Sequence, residues 1–271
     1  MTELLSMGFL QRALLAGIMV SLLCGVLSVF VILRRMAFIG VGISHSAFGG
    51  VALGFLLAVD PLWTGVGFAV LTALAIEWAQ THSRVEEDTA IGIFFAASMA
   101  LGLVFLHLSH TYNVDVFGFL FGNILAIGKK QLVEILLVAA GVLAVTLAFY
   151  KELVFLSFDE EMAWVSGVPV RALRYLFLVM LALVVIISIY LVGIILVSAL
   201  LVIPGATAQN LTGHIRSMII TSAAVAVGGA VGGLMLSCLF DFPTGATIVL
   251  LLTLIYLVTI AGPWLGLRRG R

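Results

Sequence analysis

Long apolar runs, each close to the ~20 residues a helix needs to cross a bilayer, fill positions 9–33, 36–59, 62–80, 89–108, 131–150, 217–239 and 244–265. One further run, roughly 175–211, is too long for a single crossing at ~1.5 Å per residue and too short for two full crossings with a generous loop. Gly193 in its middle and Pro204-Gly205 near its end are the breakers, which predicts two short or interrupted helices. The pattern therefore predicts an all-α, polytopic membrane protein with eight or nine spanning helices, a single transmembrane domain over residues 1–271. The apolar stretch 116–128 is too short to cross, and predicts a re-entrant segment that dips into the outer face, a conformation tolerated where protein buries it. The longest polar stretches, Gln80 to Asp88 and Lys151 to Arg174, cannot hold a soluble core.

Composition agrees with the pattern. Hydrophobic residues are 63% of the chain and charged residues 10%, against roughly 45–50% and about 25% in soluble domains; so few charges could not cover a water-exposed surface. Lys plus Arg and Asp plus Glu are 13 each, so no basic excess points to nucleic acid. Their placement is more telling. With the N-terminus outside, ten of the basic residues (Arg34, Arg35, Arg84, Lys151, Arg171, Arg174, Arg216, Arg268, Arg269 and Arg271) face the cytoplasm, and three (Arg12, Lys129 and Lys130) do not. The positive-inside rule favours that orientation, which requires an odd number of spans and a cytoplasmic C-terminus. The opening Met1-Thr2-Glu3-Leu4 has no positive n-region, so the first run reads as a retained span. Cys24 and Cys238 both sit in apolar runs and give neither a disulfide framework nor a thiolate metal site. Small residues recur at four-residue spacing (Gly42, Ser46, Gly50 and Gly54; Gly228/Gly232 and Gly229/Gly233), a pattern that lets helices approach closely in lipid.

Three groups of polar residues require explanation. His45, about ten residues past Arg34-Arg35, falls ~15 Å from the cytoplasmic interface, near the bilayer midplane. An intramembrane imidazole either hydrogen-bonds a neighbouring helix or lines a pathway, where it is a good ligand for zinc and related metals. Ser44, Ser46 and the surrounding glycines favour a polar path. His107 and His110, at i, i+3 near the outer end of the fourth run with Asp115 shortly after, read either as interfacial histidines or as an outer metal-capture site. Asp159, Glu160 and Glu161 open a short helical turn that continues through Met162 and Ala163; Gly167 ends it and Pro169 follows. This is either a solvated loop or an amphipathic helix suited to a partner's groove. No phosphate-binding G-x-x-x-x-G-K-[ST] motif occurs, so the chain cannot hydrolyse ATP by that route, and the H-E-x-x-H and G-x-S-x-G motifs are missing too.

Assembled in order, these residues resemble the membrane permeases of ABC-type zinc/manganese importers, almost end to end. The family's R-R-M-A-x-x-G-D-A-[LI]-S-H-[AS] block is here Arg34-Arg35-Met36-Ala37-Phe38-Ile39-Gly40-Val41-Gly42-Ile43-Ser44-His45-Ser46. Asp115 with Phe119 to Ala126, including Asn123, resembles the outer re-entrant segment, and Phe158 to Val168 the coupling helix that contacts the ATPase. Leu196 to Ala208, with Ser198 and Pro204, and Asp241 to Thr247 are similar to two further blocks. The resemblance implies a transport subunit with no ATPase site of its own and no permanently bound cofactor, in the bacterial inner membrane. Its implied partners are a second copy, two ATPase subunits that carry the ATP, and an extracytoplasmic metal-binding protein. It also implies His45 on the translocation path, with Ser44, Ser46, Asn123, Ser198 and Pro204 as path or gate residues. One departure matters: the family's aspartate four residues before the histidine is here Val41, one turn from His45 and on its face. Losing a hard carboxylate leaves an imidazole-dominated site, which favours zinc over manganese. An ion-coupled secondary transporter, a membrane metalloenzyme using His107 and His110, and an importer of another small cargo are the alternatives. The first normally carries carboxylates inside its spans, whereas Glu77 and Glu134 lie near span ends; the second lacks an identifiable general base.

Overall fold

The computed structural model describes residues 8–109 and 128–261, with side chains absent from the description at 8–10, 129–131, 190 and 191. Eleven helices account for these residues: α1 Gly8–Leu33, α2 Ile39–Leu57, α3 Pro61–His82, α4 Glu87–Ser109, α5 Lys129–Ala148, α6 Tyr150–Phe158, α7 Glu160–Val165, α8 Val170–Leu200, α9 Ile203–Leu211, α10 Ile215–Phe240 and α11 Thr244–Ala261. Eight stretches are long and apolar enough to cross a bilayer, and α5 with α6, bent by 69°, supplies a ninth if the pair counts as one span. The polytopic all-α architecture is thus as the hydrophobic pattern requires. Of the expected re-entrant segment 116–128, all but Gly128 lies outside the described residues.

The long run resolves at Gly193, whose φ of 78° and ψ of 165° interrupt α8, a conformation open to a residue without Cβ. Pro204 does not end a helix. It stands in the first turn of α9, where a missing N–H removes no intrahelical bond. Backbone groups freed at this bend find a partner in α1: Ser28 Oγ accepts from Gly205 N at 2.8 Å and donates to the Val202 carbonyl at 3.4 Å. A broken helix is tolerated in lipid when such groups are re-satisfied. The polar stretch 151–174 proves largely helical, and α8 begins at Val170, five residues before the apolar run. Arg171 and Arg174 can occupy the first turns of a span because the span's end reaches water and Arg174 has carboxylate partners.

Small residues set the helix spacing. A Cβ on Gly49 would lie 2.7 Å from the Ser98 carbonyl of α4, and one on Gly50 would lie 2.7 Å from the Thr64 carbonyl and 2.8 Å from Gly65 Cα of α3. With Gly42 against Ile91 and Gly102 against Phe48, α2 is wedged between α3 and α4. On the other side of the molecule Gly25 abuts Ala226, and Ser222 Oγ donates to the Gly25 carbonyl at 2.6 Å, fixing α1 to α10. Gly229 and Gly233 pack on Leu252 and Ile248 of α11, whereas Gly228 would meet nothing within 4 Å. Of the interlocked pairs, three glycines are contacts, Gly232 lying against Leu251, and Gly228 alone is open. The centre of α8, including Phe177, Leu181, Ile186 and Ile189, is fully buried and forms the hub of the apolar core.

Candidate functional site: an imidazole in a spanning helix and a short capped helix

His45 sits in the middle of α2. Its two serine neighbours are sealed: Ser44 and Ser46 are 0% exposed, and Ser46 Oγ donates back to the Gly42 carbonyl at 2.8 Å. His45 alone of the three is half-exposed. Its ring stands edge-on to Phe95 of α4, centroids 4.9 Å apart and planes at 88°, and its Nδ1 is buried without a hydrogen-bond partner. An unpaired buried imidazole nitrogen is uncommon, because desolvation without a bond is costly. Val41, one turn earlier on the same helix, is also part-exposed. The described residues contain no group of three or more His, Cys, Asp and Glu side chains able to hold a metal, so among the described residues of one chain His45 has no co-ligand shell. Ser44 Oγ is likewise buried and unpartnered.

The other candidates fall at different places. Ser198 Oγ donates to the Ile194 carbonyl at 3.0 Å, near the end of α8. There Gly40 of α2 faces Leu201 and the Ser198 backbone. Pro204 is buried at the start of α9. His107 is exposed in the last turn of α4. His110, Asp115 and Asn123 lie outside the described residues.

The short helix α7 is built by its termini. Asp159 is extended (φ −152°, ψ 100°), and its carboxylate accepts from Met162 N at 2.9 Å, an N-cap backed by Glu160 and Glu161 at the positive end of the helix dipole. At the other end Gly167 adopts φ 83°. Val168 N donates to the Ala163 carbonyl and Gly167 N to that of Trp164, both at 3.0 Å. Those two bonds are the paired closures of a Schellman motif. Ala163 is fully buried in a small cluster with Leu156, Val170 and Leu173. The opposite face is bare: Met162, Trp164 and Val165 are 56%, 71% and 72% exposed. An open groove of about 1300 Å³ runs beside it, walled by α7 and the start of α8.

The sequence reading missed the charge cluster behind this helix. Arg174 Nε approaches Glu77 Oε1 of α3 at 2.7 Å, while its Nη1 donates to Glu160 Oε1 of α7 at 2.8 Å and its Nη2 to Gln80 Oε1 of α3 at 3.0 Å. Arg34, in the turn between α1 and α2, lies over the Phe177 ring at 5.0 Å. Burial lowers its basicity, the Glu87 carboxylate opposes that shift, and the guanidinium remains charged. One available signal was Glu77 and Gln80 at i, i+3 on one helix face, at the end of a span that the charge count assigns to the cytoplasmic side.

Comparison with known proteins agrees with the arrangement. The chain is 39% identical over 254 residues to the "Manganese transport system membrane protein MntC" of Halalkalibacterium halodurans, covering 94% of this chain and 87% of that one. It is 32% identical over 248 residues to the "High-affinity zinc uptake system membrane protein ZnuB" of Haemophilus influenzae, covering 92% and 95%. Among solved structures, "PsaBC from Streptococcus pneumoniae in complex with Fab" superimposes with a TM-score of 0.84 at 35% identity, over 95% of this chain and 92% of that one. Residues 6–262 match the model of the ABC 3 transport family. An apolar bundle with eight membrane-long helices among the described residues, polar side chains in the middle of α2 and a short capped helix between spans, matched over residues 6–262, makes this chain a membrane permease subunit of the ABC 3 transport family.

Proposed function

We propose that the chain is the permease of an ATP-driven importer of divalent metal ions, zinc ahead of manganese, and that the ion passes His45. The observation that carries the proposal is the half-exposed imidazole with an unpartnered Nδ1 at the middle of a spanning helix. A hydrated dication cannot enter hydrocarbon unless ligands replace its water, and a path must bind weakly enough to release. One imidazole per chain meets the second condition and not the first, which supports a path at the two-fold axis of a homodimer, with His45 from both copies facing the ion. Val41 withholds the carboxylate that would favour manganese, and imidazole without oxygen suits zinc. The relatives' names include both metals, so ligand chemistry is the basis of the preference.

The partners follow from the same reading: two ATPase subunits beneath α7, an extracytoplasmic metal-binding protein above, and the second permease. The N-terminus lies outside and the C-terminus in the cytoplasm, consistent with nine spans and with the placement of Lys and Arg. Residues 116–128, with Asp115 and Asn123, shape the outer gate, together with Ser198 and Pro204; His107 and His110 form an outer capture site. The decisive experiment is His45→Ala in the full complex. Assembly with the ATPase is expected to persist while zinc uptake into proteoliposomes is lost; uptake at the original rate would rule the path out.

A further inference from the structure

Arg174 spends three guanidinium nitrogens on three residues in two different helices: Glu160 of α7, and Glu77 and Gln80 of α3. We infer that Arg174 is the positioning residue that ties the cytoplasmic helix α7 to the body formed by α2, α3 and α4, so that movement at α7 reaches the helix that carries His45. The inference rests on the reading of α7 as the ATPase contact.

Three observations carry it. First, α7 has few other holds. It is six residues long, one buried alanine roots it in a small apolar cluster, and its outer face is bare. Without a charged tie, a helix that short follows its flanking loops rather than the bundle. Second, the two sides of the tie differ. Glu77 is 1% exposed and Glu160 is 47% exposed. The α3 side is therefore shielded from water and salt, and the α7 side is open to exchange. Such a joint is anchored in the bundle and releasable at the cytoplasmic helix. Third, α3 does not move alone. Its backbone at Thr64 and Gly65 touches Gly50 of α2, and α4 touches Gly49 through Ser98. Close backbone contact resists sliding, so the three helices shift together.

Only a guanidinium can hold this geometry. Lysine presents one point charge and would hold one carboxylate at a time. Arg34, in the turn that leads into α2, and Glu87, at the start of α4, influence each other electrostatically, which extends the charges toward the start of the His45 helix.

The test uses the complete importer in proteoliposomes, with zinc as the probe. Zinc taken up per ATP hydrolysed is measured alongside co-purification of the ATPase. Glu160→Gln and Gln80→Ala open the two sides of the joint with little risk to folding, and Glu77→Gln opens the buried side. Each is expected to lower zinc per ATP about fivefold or more, the lower end of a coupling free energy. Glu77→Gln combined with Glu160→Gln should fall little further than the worse single variant, because both break one joint. Arg174→Lys should lie between wild type and Arg174→Ala. An unchanged ratio in Glu160→Gln and Gln80→Ala overturns the inference, as does a double variant whose losses multiply. Failure of the underlying reading would be seen elsewhere: Trp164→Ala would then retain the ATPase at the wild-type amount.

Discussion

Gly167→Ala isolates one contribution to the short helix α7. The residue sits at φ 83°, and an added Cβ would meet nothing within 4 Å. No clash arises, so the effect is the backbone's alone. A left-handed conformation costs an L-residue with a Cβ about 1–2 kcal/mol. The alanine also restricts the unfolded chain, which returns about 0.4–1 kcal/mol only where its native φ is compatible, and here it is not. A net loss of about 1–2 kcal/mol raises the population in which the α7 terminus is open by roughly 5–30-fold. Gly92→Ala is the matched control. It has the same chemistry, again with no neighbour within 4 Å of the new Cβ, but in a helix interior at ordinary φ, where alanine stabilises by roughly 0.5–1 kcal/mol. Hydrogen exchange of the full chain, read on peptides covering 162–168, should show faster exchange of the Gly167 and Val168 amides in Gly167→Ala. Gly92→Ala should leave them unchanged. Equal protection in wild type and Gly167→Ala would refute the Schellman closure and the account of why α7 holds its shape.

Two further substitutions test packing and metal choice. Gly50→Ala places a methyl 2.7 Å from the Thr64 carbonyl and 2.8 Å from Gly65 Cα, backbone atoms that cannot rotate away. Thermal unfolding in detergent should show a loss of about 1–3 kcal/mol, as overpacking typically gives, whereas Gly228→Ala, with nothing within 4 Å of the new Cβ in a helix interior, should show no loss and a gain of up to roughly 0.5–1 kcal/mol. Val41→Asp places a carboxylate on the His45 face at a part-exposed position. In paired uptake assays the ratio of manganese to zinc transport should rise, and a ratio unmoved by the new carboxylate would remove position 41 from the selection of the ion.

The spans were legible because lipid imposes one requirement everywhere. Six of the runs became helices within about three residues of their expected ends, α8 began five residues early, and Gly193 broke the long run where its lack of Cβ allows. Pro204 shows the limit. Proline is compatible with a helix's first turn as well as with its end, and the choice was made by Ser28, a residue 176 positions earlier whose hydroxyl satisfies the bend. The Asp159 cap and the Gly167 stop were equally readable, since both act on their own backbone. Arg174 was not. Nothing near it in the chain announces Glu77, 97 residues away, and a charged residue at a span's end has an adequate explanation in its interfacial position alone. For the same reason Ser44 and Ser46 read as path residues beside His45, although helix rotation turns them into the chain's own packing.

That rotation has a consequence for transport. With both serines turned inward, the part-exposed side chains at the middle of α2 are the His45 ring and, at position 41, hydrocarbon, so the proposed path meets one imidazole from each chain. A structural zinc site gains its affinity from four protein ligands; in the proposed path a pair of imidazoles leaves the remaining positions to water. Such a site binds far more weakly, and a weakly held ion can leave on either side. On the proposed path, affinity therefore cannot set the direction of movement. In that proposal direction comes from which side of His45 is open, so the gate's dependence on ATP, rather than the depth of the metal site, is the property on which import turns. The Arg174 joint then has a specific role. A path with little binding energy of its own needs the state of the ATPase delivered to α2 without slippage, and a joint buried on the bundle side and exposed on the α7 side allows both the transmission of a push and its release.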